Sequence, residues 1–224
     1  MLKCPLQTYI AILLTVGSIQ ISCAVPASNK KTIAKPVTTI QIILGSTRQG
    51  RTSEKIGTLL QQLARTKAAV AAGDVRIEIV DLKDHILPFL AEATAPAERT
   101  TITDPAIQRW SNRIKQADAF IIVSPEYNAG YPAVLKNALD SLYAEWHDKP
   151  VGFVTYSGGP TGGSSVLAQL QQVARALTMK PIKTAIKIPY SSKAFTAQNT
   201  IVDQENIELK LQKMLDEIVA SQRN

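Results

Sequence analysis

The chain has 224 residues, enough for one sizeable domain with its own core. Hydrophobic residues make up 45% and charged residues 19%, which excludes an intrinsically disordered chain. The net charge of +7 is scattered, with Lys30-Lys31 the only adjacent basic pair, so the basic stripe of a nucleic-acid binder is missing and no nucleic-acid partner is expected.

The N-terminus reads as a separate object. Lys3 precedes a mostly apolar run from Tyr9 to Ile21, and Ser22-Cys23-Ala24 places small residues at −3 and −1 of a cut after Ala24. That is the layout of a secretory signal peptide over residues 1–24, with export to a periplasm or the medium as its consequence. The alternative is an uncleaved anchor, which would be the chain's only membrane attachment. The run is short of the roughly 20 apolar residues of a span. A lipoprotein acylated at Cys23 is disfavoured by Gln20, where such a signal has an aliphatic residue. Cys4 and Cys23 both lie in this segment, so the rest of the chain has no disulfide, no thiolate nucleophile and no cysteine metal site. Residues 25–37 are polar, contain Pro26 and Pro36, and read as a flexible leader to a domain over 38–224.

Within that domain Thr38–Leu44 is a first strand, and it runs directly into Gly45-Ser46-Thr47-Arg48-Gln49-Gly50-Arg51-Thr52-Ser53. Ile56, Leu59, Leu60 and Leu63 then recur at helical spacing, predicting a helix from Ser53 to Ala72 that stops at Gly73. Val75–Asp81 alternates as a second strand. Residues 82–103 carry two prolines and little periodicity and read as a long surface loop. Asp104-Pro105 opens a helix with Asp as cap and Pro in the first turn, and Ile107, Trp110 and Ile114 line one face. Ala119–Ser124 is a continuous apolar run, as in a central parallel strand. After the loop 125–131, Pro132 opens a helix striped by Leu135, Ala138, Leu139 and Leu142. Val151–Tyr156 is a fourth strand, and Ser157–Gly163 holds four glycines in seven residues. A helix striped by Val166, Leu170, Val173 and Leu177, a strand over Pro181–Ile188 and a helix over Asp203–Ser221 complete the chain.

Alternating strands and helices imply a parallel sheet covered on both faces. In such sheets ligands bind beyond the carboxyl ends of the strands. The unusual loops after strands one, three and four should therefore meet. The first loop offers backbone N–H groups, hydroxyls and guanidinium groups beside a helix N-terminus, which is the chemistry of a phosphate site. Gly45, Gly50, Arg51 and Thr52 approach a P-loop, but Arg51 stands where that motif uses the point charge of lysine, and the other two loops would be left without a role.

Three stretches together carry a family resemblance: Gly45 to Ser53, then Ser124-Pro125-Glu126-Tyr127-Asn128-Ala129-Gly130-Tyr131-Pro132 with Leu135-Lys136-Asn137-Ala138-Leu139-Asp140, then Tyr156-Ser157-Gly158-Gly159. The chain resembles the NAD(P)H-dependent FMN reductases, which include flavodoxin-like quinone, azo-dye and chromate reductases. The resemblance implies a flavodoxin-like α/β fold with strand order 2-1-3-4-5, bound FMN, NADPH or NADH as reductant, and a small-molecule acceptor. It also implies a homodimer or homotetramer. By position, Ser46, Arg48, Arg51, Thr52 and Ser53 would hold the FMN phosphate. Pro125, Glu126, Tyr127 and Asn128 would lie along the flavin ring, mainly through backbone groups. Ser157, Gly158 and Gly159, joined by Gly162 and Gly163, would approach its pyrimidine end. The flavin carries the redox chemistry, so no catalytic side chain is required. The Glu126 carboxylate reads as a structural ion-pair group, Trp110 and Trp146 as packing residues, and His85 and His147 as surface residues rather than metal ligands. A flavodoxin-type carrier is the rival, but such carriers tend to be acidic and this chain is not.

Overall fold

The computed structural model describes residues 37–222. The expected signal peptide, and the leader up to residue 36, lie outside the described residues. Five strands, β1 (Thr38–Leu44), β2 (Val75–Asp81), β3 (Ala119–Pro125), β4 (Pro150–Tyr156) and β5 (Lys180–Ile188), form one parallel sheet in the order β2-β1-β3-β4-β5. This is the expected flavodoxin-like arrangement. β3 and β4 are buried along their whole length, which explains why they read as unbroken apolar runs, whereas β5 alternates.

Alternate residues of the strands feed two cores. Ile121 and Val123 of β3 point to the face covered by α1 (Thr52–Arg65) and α6 (Gln204–Ser221). Phe120 and Ile122 point to the other face, under α3 (Pro105–Lys115), α4 (Ala133–Asp140) and α5 (Ser164–Ala176). Trp110 and Trp146 are both fully buried in this second core, and their indole N–H groups donate to the carbonyls of Ala138 and Leu139 at 2.8 and 3.0 Å. They are the packing residues the sequence implies.

The first helix is shorter than its pattern predicts. α1 stops at Arg65, and a separate turn, α2 (Ala68–Ala71), follows. The Thr66 hydroxyl donates to the Leu63 carbonyl at 2.8 Å, and the Lys67 N–H bonds one residue short, to Ala64, so the helical ladder closes there. The long 82–103 segment is stitched down. The Asn137 side chain accepts the Leu90 N–H and donates to the Pro88 carbonyl at 2.9 Å, and Arg99 bridges Glu92 and the Ser141 carbonyl.

Candidate functional site

Register brings the loops together. Leu44 pairs with both Asp81 and Val123, Pro125 pairs with Tyr156, and Tyr156 pairs with Ile188. The connections after β1, β3, β4 and β5 therefore leave one edge of the sheet side by side. At Gly45 a Cβ would sit 2.8 Å from Leu135 Cδ2 and 3.0 Å from the Val123 carbonyl oxygen, so only glycine allows the chain to leave β1 on this path.

In the first loop Ser46 is buried, and its hydroxyl shares a 2.9 Å hydrogen bond with the Tyr127 hydroxyl. The Arg51 side chain is also buried. Its guanidinium donates to the Ser46 carbonyl at 2.6 Å and forks onto both oxygens of the Asp81 carboxylate, one of them at 2.8 Å. Its charge is thereby matched inside the protein, and its geometric effect is to fix the bend at Ser46. Arg48 is exposed at the mouth of the site and forms no ion pair among the described residues. α1 starts after Arg51 with no side chain capping its first N–H groups, which leaves a helix N-terminus receptive to an anion. Thr52 stands at this end. Ser53 is fully buried, and its Oγ has no hydrogen bond of normal geometry, although it lies close enough to act on the Tyr156 phenol.

The second loop is a tight reversal. Tyr127 and Gly130 exchange N–H to carbonyl bonds of 2.7 and 3.0 Å across Asn128 and Ala129, whose φ values are 50° and 64°. Two successive positive φ angles are the signature of a type I′ turn. The Ala129 methyl disfavours that conformation, and Gln169 holds its carbonyl from α5 at 2.9 Å. The Glu126 carboxylate makes no ion pair among the described residues. It accepts the N–H groups of Ser165 and Val166 at 3.0 and 3.2 Å, capping the start of α5 from a different loop. Gly163, at the helix's own cap position, has no side chain to do this. The expected ion-pair role is therefore replaced by a helix-capping one.

The third loop divides its glycines. A Cβ on Gly158 or Gly159 would meet nothing within 4 Å, so their backbone faces open space. Gly162 and Gly163 turn inward. Their φ values are 61° and 86°, and a Cβ would press on β5 and on Thr155 at 3.0 and 2.9 Å. They shape the entry to α5 rather than the open site. A fourth connection, after β5, joins the others and was not singled out in the sequence. The Tyr190 and Ser191 N–H groups donate to the carbonyls of Gly159 and Ser157 at 3.0 and 2.9 Å.

The loops enclose a cavity of about 340 Å³. Of the residues singled out from sequence, Arg48, Arg51, Thr52, Pro125, Glu126, Tyr127, Ser157 and Gly158 line it. Ser46 and Ser53 lie beneath it, Asn128 sits in the turn, and Gly159 is held by Tyr190 at its side. Gly50, Tyr156, Ser191 and Ser192 complete the lining. Two serines after a strand carry no glycine motif, and only their position at this edge gives them meaning. Burial, reinforced by the neighbouring Tyr127, pushes the Tyr156 phenol up to about 12, so it remains a neutral hydroxyl at physiological pH. The histidines are elsewhere and are half-buried rather than fully exposed. His85 packs on Trp110 at 5.1 Å, and burial together with Arg113 lowers its pKa; His147 packs edge-on against Tyr143.

The arrangement fits a flat ring carrying a phosphate. One end has an uncapped helix, hydroxyls and the exposed guanidinium of Arg48. The other end has bare glycine backbone where a Cβ would fill the space. A profile of the NADPH-dependent FMN reductases matches residues 38–192. The chain belongs to the NADPH-dependent FMN reductase family. It is 36% identical to the NAD(P)H-dependent FMN reductase LOT6 of Saccharomyces cerevisiae over 156 residues, 67% of this chain and 81% of that protein. It is 30% identical to an NADPH:quinone oxidoreductase of Arabidopsis thaliana over 191 residues, covering 82% of this chain and 92% of that protein. Its fold is similar to that of FerB, a flavoenzyme NAD(P)H:(acceptor) oxidoreductase from Paracoccus denitrificans. There the TM-score is 0.64 at 24% identity, covering 83% of this chain and 99% of FerB. As an FMN reductase the chain is an oxidoreductase that uses FMN and NAD(P)H.

Proposed function

We propose that this FMN reductase takes a hydride from NADPH or NADH and delivers electrons to a quinone, with free flavin, azo compounds and metal oxyanions as further acceptors. The observation that carries the reading is the convergence of four connections on one cavity, with an anion-binding end and a bare-backbone end. Arg48, Thr52 and the N-terminus of α1 hold the FMN phosphate, with Ser46 and Ser53 as hydroxyls beneath them. Arg51 acts on this end through the Ser46 carbonyl. Pro125, Glu126, Tyr127 and Asn128 supply the edge along the ring. Ser157, Gly158 and Gly159 bring amide groups close to it, where donors favour the negative charge of the reduced ring. Bound FMN supplies the hydride-accepting nitrogen and passes electrons on. The neutral Tyr156 hydroxyl offers a hydrogen bond without exchanging protons near pH 7.

The test is anaerobic. FMN-loaded protein mixed with NADPH should lose its yellow colour within the dead time of hand mixing and regain it on adding a benzoquinone. Flavin that binds but is not bleached by NADPH or NADH would instead identify an electron carrier.

A homodimer or homotetramer is part of the same proposal. Ile86 and Phe89, 87% and 79% exposed on the pinned loop after β2, give it an apolar contact surface. Sedimentation of wild type against Phe89→Ser tests it. Export by residues 1–24 is proposed from sequence, and N-terminal sequencing of protein recovered from cells and medium tests it.

A further inference from the structure

A second cavity, of about 380 Å³, lies under the connection that follows β5. That connection folds into a small hairpin. The Val202 N–H bonds the Ala194 carbonyl at 2.9 Å, Phe195 bridges Ile201, and Asn199 turns the chain with φ of 59°. Lys55 of α1 reaches over the Phe195 ring at 5.8 Å and pins the hairpin from outside. The floor beneath is apolar, with Ile188, Ile201 and Ile207 each no more than 5% exposed. The rim carries Tyr190 and Val202, 51% and 72% exposed. No residue lines both this cavity and the one described above, and the Tyr190–Ser191 step separates them.

The charge around this apolar floor is unbalanced. Lys187 and Lys193 line the cavity, and neither forms an ion pair among the described residues; the Lys187 amine has only the Ser164 hydroxyl, at 3.3 Å. The one carboxylate in the lining, Asp203, is engaged by the Asn206 amide at 2.7 Å. The volume is that of a small-molecule pocket. We propose that this cavity is a second ligand site, distinct from the flavin site, for a small molecule with an apolar body and a single anionic group such as a carboxylate or sulfonate. The apolar body replaces water over the isoleucine floor, and the two amines meet the anion at the rim.

The probe is 8-anilinonaphthalene-1-sulfonate, titrated by fluorescence into the purified FMN-loaded protein. One saturable site per chain is expected. The double variant Lys187→Gln/Lys193→Gln should weaken binding by about tenfold or more, the scale of a lost charge-assisted hydrogen bond. Lys187→Arg/Lys193→Arg should retain it. Ala194→Phe, which fills the cavity, should abolish it, and circular dichroism with a thermal midpoint reports whether that variant has folded. The uncharged N-phenyl-1-naphthylamine should bind weakly and be insensitive to the lysine variants.

Three results overturn the proposal: displacement of the probe by added FMN, equal probe affinity in the wild-type and glutamine proteins, or binding that appears only after dilution dissociates an oligomer. The last would assign the cavity to a contact between copies. FMN binding is followed separately by quenching of flavin fluorescence, so failure of the flavin reading is seen independently.

Discussion

Arg48 and Arg51 carry the same charge three residues apart, yet their surroundings divide their roles. Arg48 is exposed and forms no ion pair among the described residues, so its guanidinium is available to a ligand anion. Arg48→Ala should weaken FMN binding by about 1.5–3 kcal/mol, the range for hydrogen bonds to charged groups. Riboflavin, which lacks the phosphate, should bind the variant and the wild type alike. Isothermal titration with both ligands checks this, and an equal loss for both would remove Arg48 from the phosphate end. Arg51 is only 4% exposed at its side chain and is matched by Asp81, 17% exposed. Asp81→Asn leaves that guanidinium buried with only the exposed Glu54 carboxylate, 3.7 Å away, to oppose its charge, which should cost about 3 kcal/mol of stability. Arg51→Met/Asp81→Asn removes both charges and should be the more stable of the two variants by urea unfolding. Nothing local in the sequence marks this pair, because the residues are thirty positions apart. Only the β1–β2 register, which sets Leu44 beside Asp81, reveals it.

At the scale of elements, the strands were legible because burial on two faces leaves unbroken apolar runs and burial on one face leaves alternation. Loops were legible as to chemistry but not as to which groups face the ligand. The four glycines after β4 look alike in sequence, yet two face open space and two turn inward under helix α5. Glu126 shows the same limit. Its carboxylate was expected to find a cation and instead caps α5, thirty-nine residues further on, because Gly163 leaves that helix without a cap of its own. One carboxylate thus ties the turn after β3 to the helix after the β4 loop. Glu126→Ala should lower stability by about 1 kcal/mol, the usual cost of a lost cap. It should also raise the KM for the quinone, because the two loops that border the cavity lose their shared anchor. Glu126→Gln keeps an accepting oxygen and should recover most of both losses. Steady-state kinetics beside thermal unfolding separates this role from direct contact with the ring, since a contact residue would change the flavin spectrum in both variants.

For the whole molecule, the alternation of strands and helices already implied a parallel sheet, and the edge rule for such sheets already placed the site. The connection after β5 escaped that reading because Ser191 and Ser192 have no distinctive pattern; they reach the cavity only because Tyr156 pairs with Ile188. The site in turn enters the stability of the whole domain through Tyr156, whose side chain lies in the core shared by α1 and α6. Its phenol titrates at about 12 in the folded state and at the ordinary 10 when unfolded, with burial as the main cause. Between these values the unfolded chain has lost the proton that the folded chain keeps, so stability must fall as pH rises. Below pH 10 the stabilisation is fully present, and it is lost progressively toward pH 12. By pH 11 the loss should reach about 1.4 kcal/mol, one pK unit's worth. Other groups also titrate in this range as the net charge of +7 is neutralised, so wild type alone cannot isolate the effect. Tyr156→Phe can. The difference in unfolding free energy between wild type and this variant should be constant from pH 7 to 9 and shrink by that amount by pH 11. A difference that stays flat across the whole range would show that the phenol is solvated in the folded protein and is not the neutral hydroxyl assigned to the cavity wall.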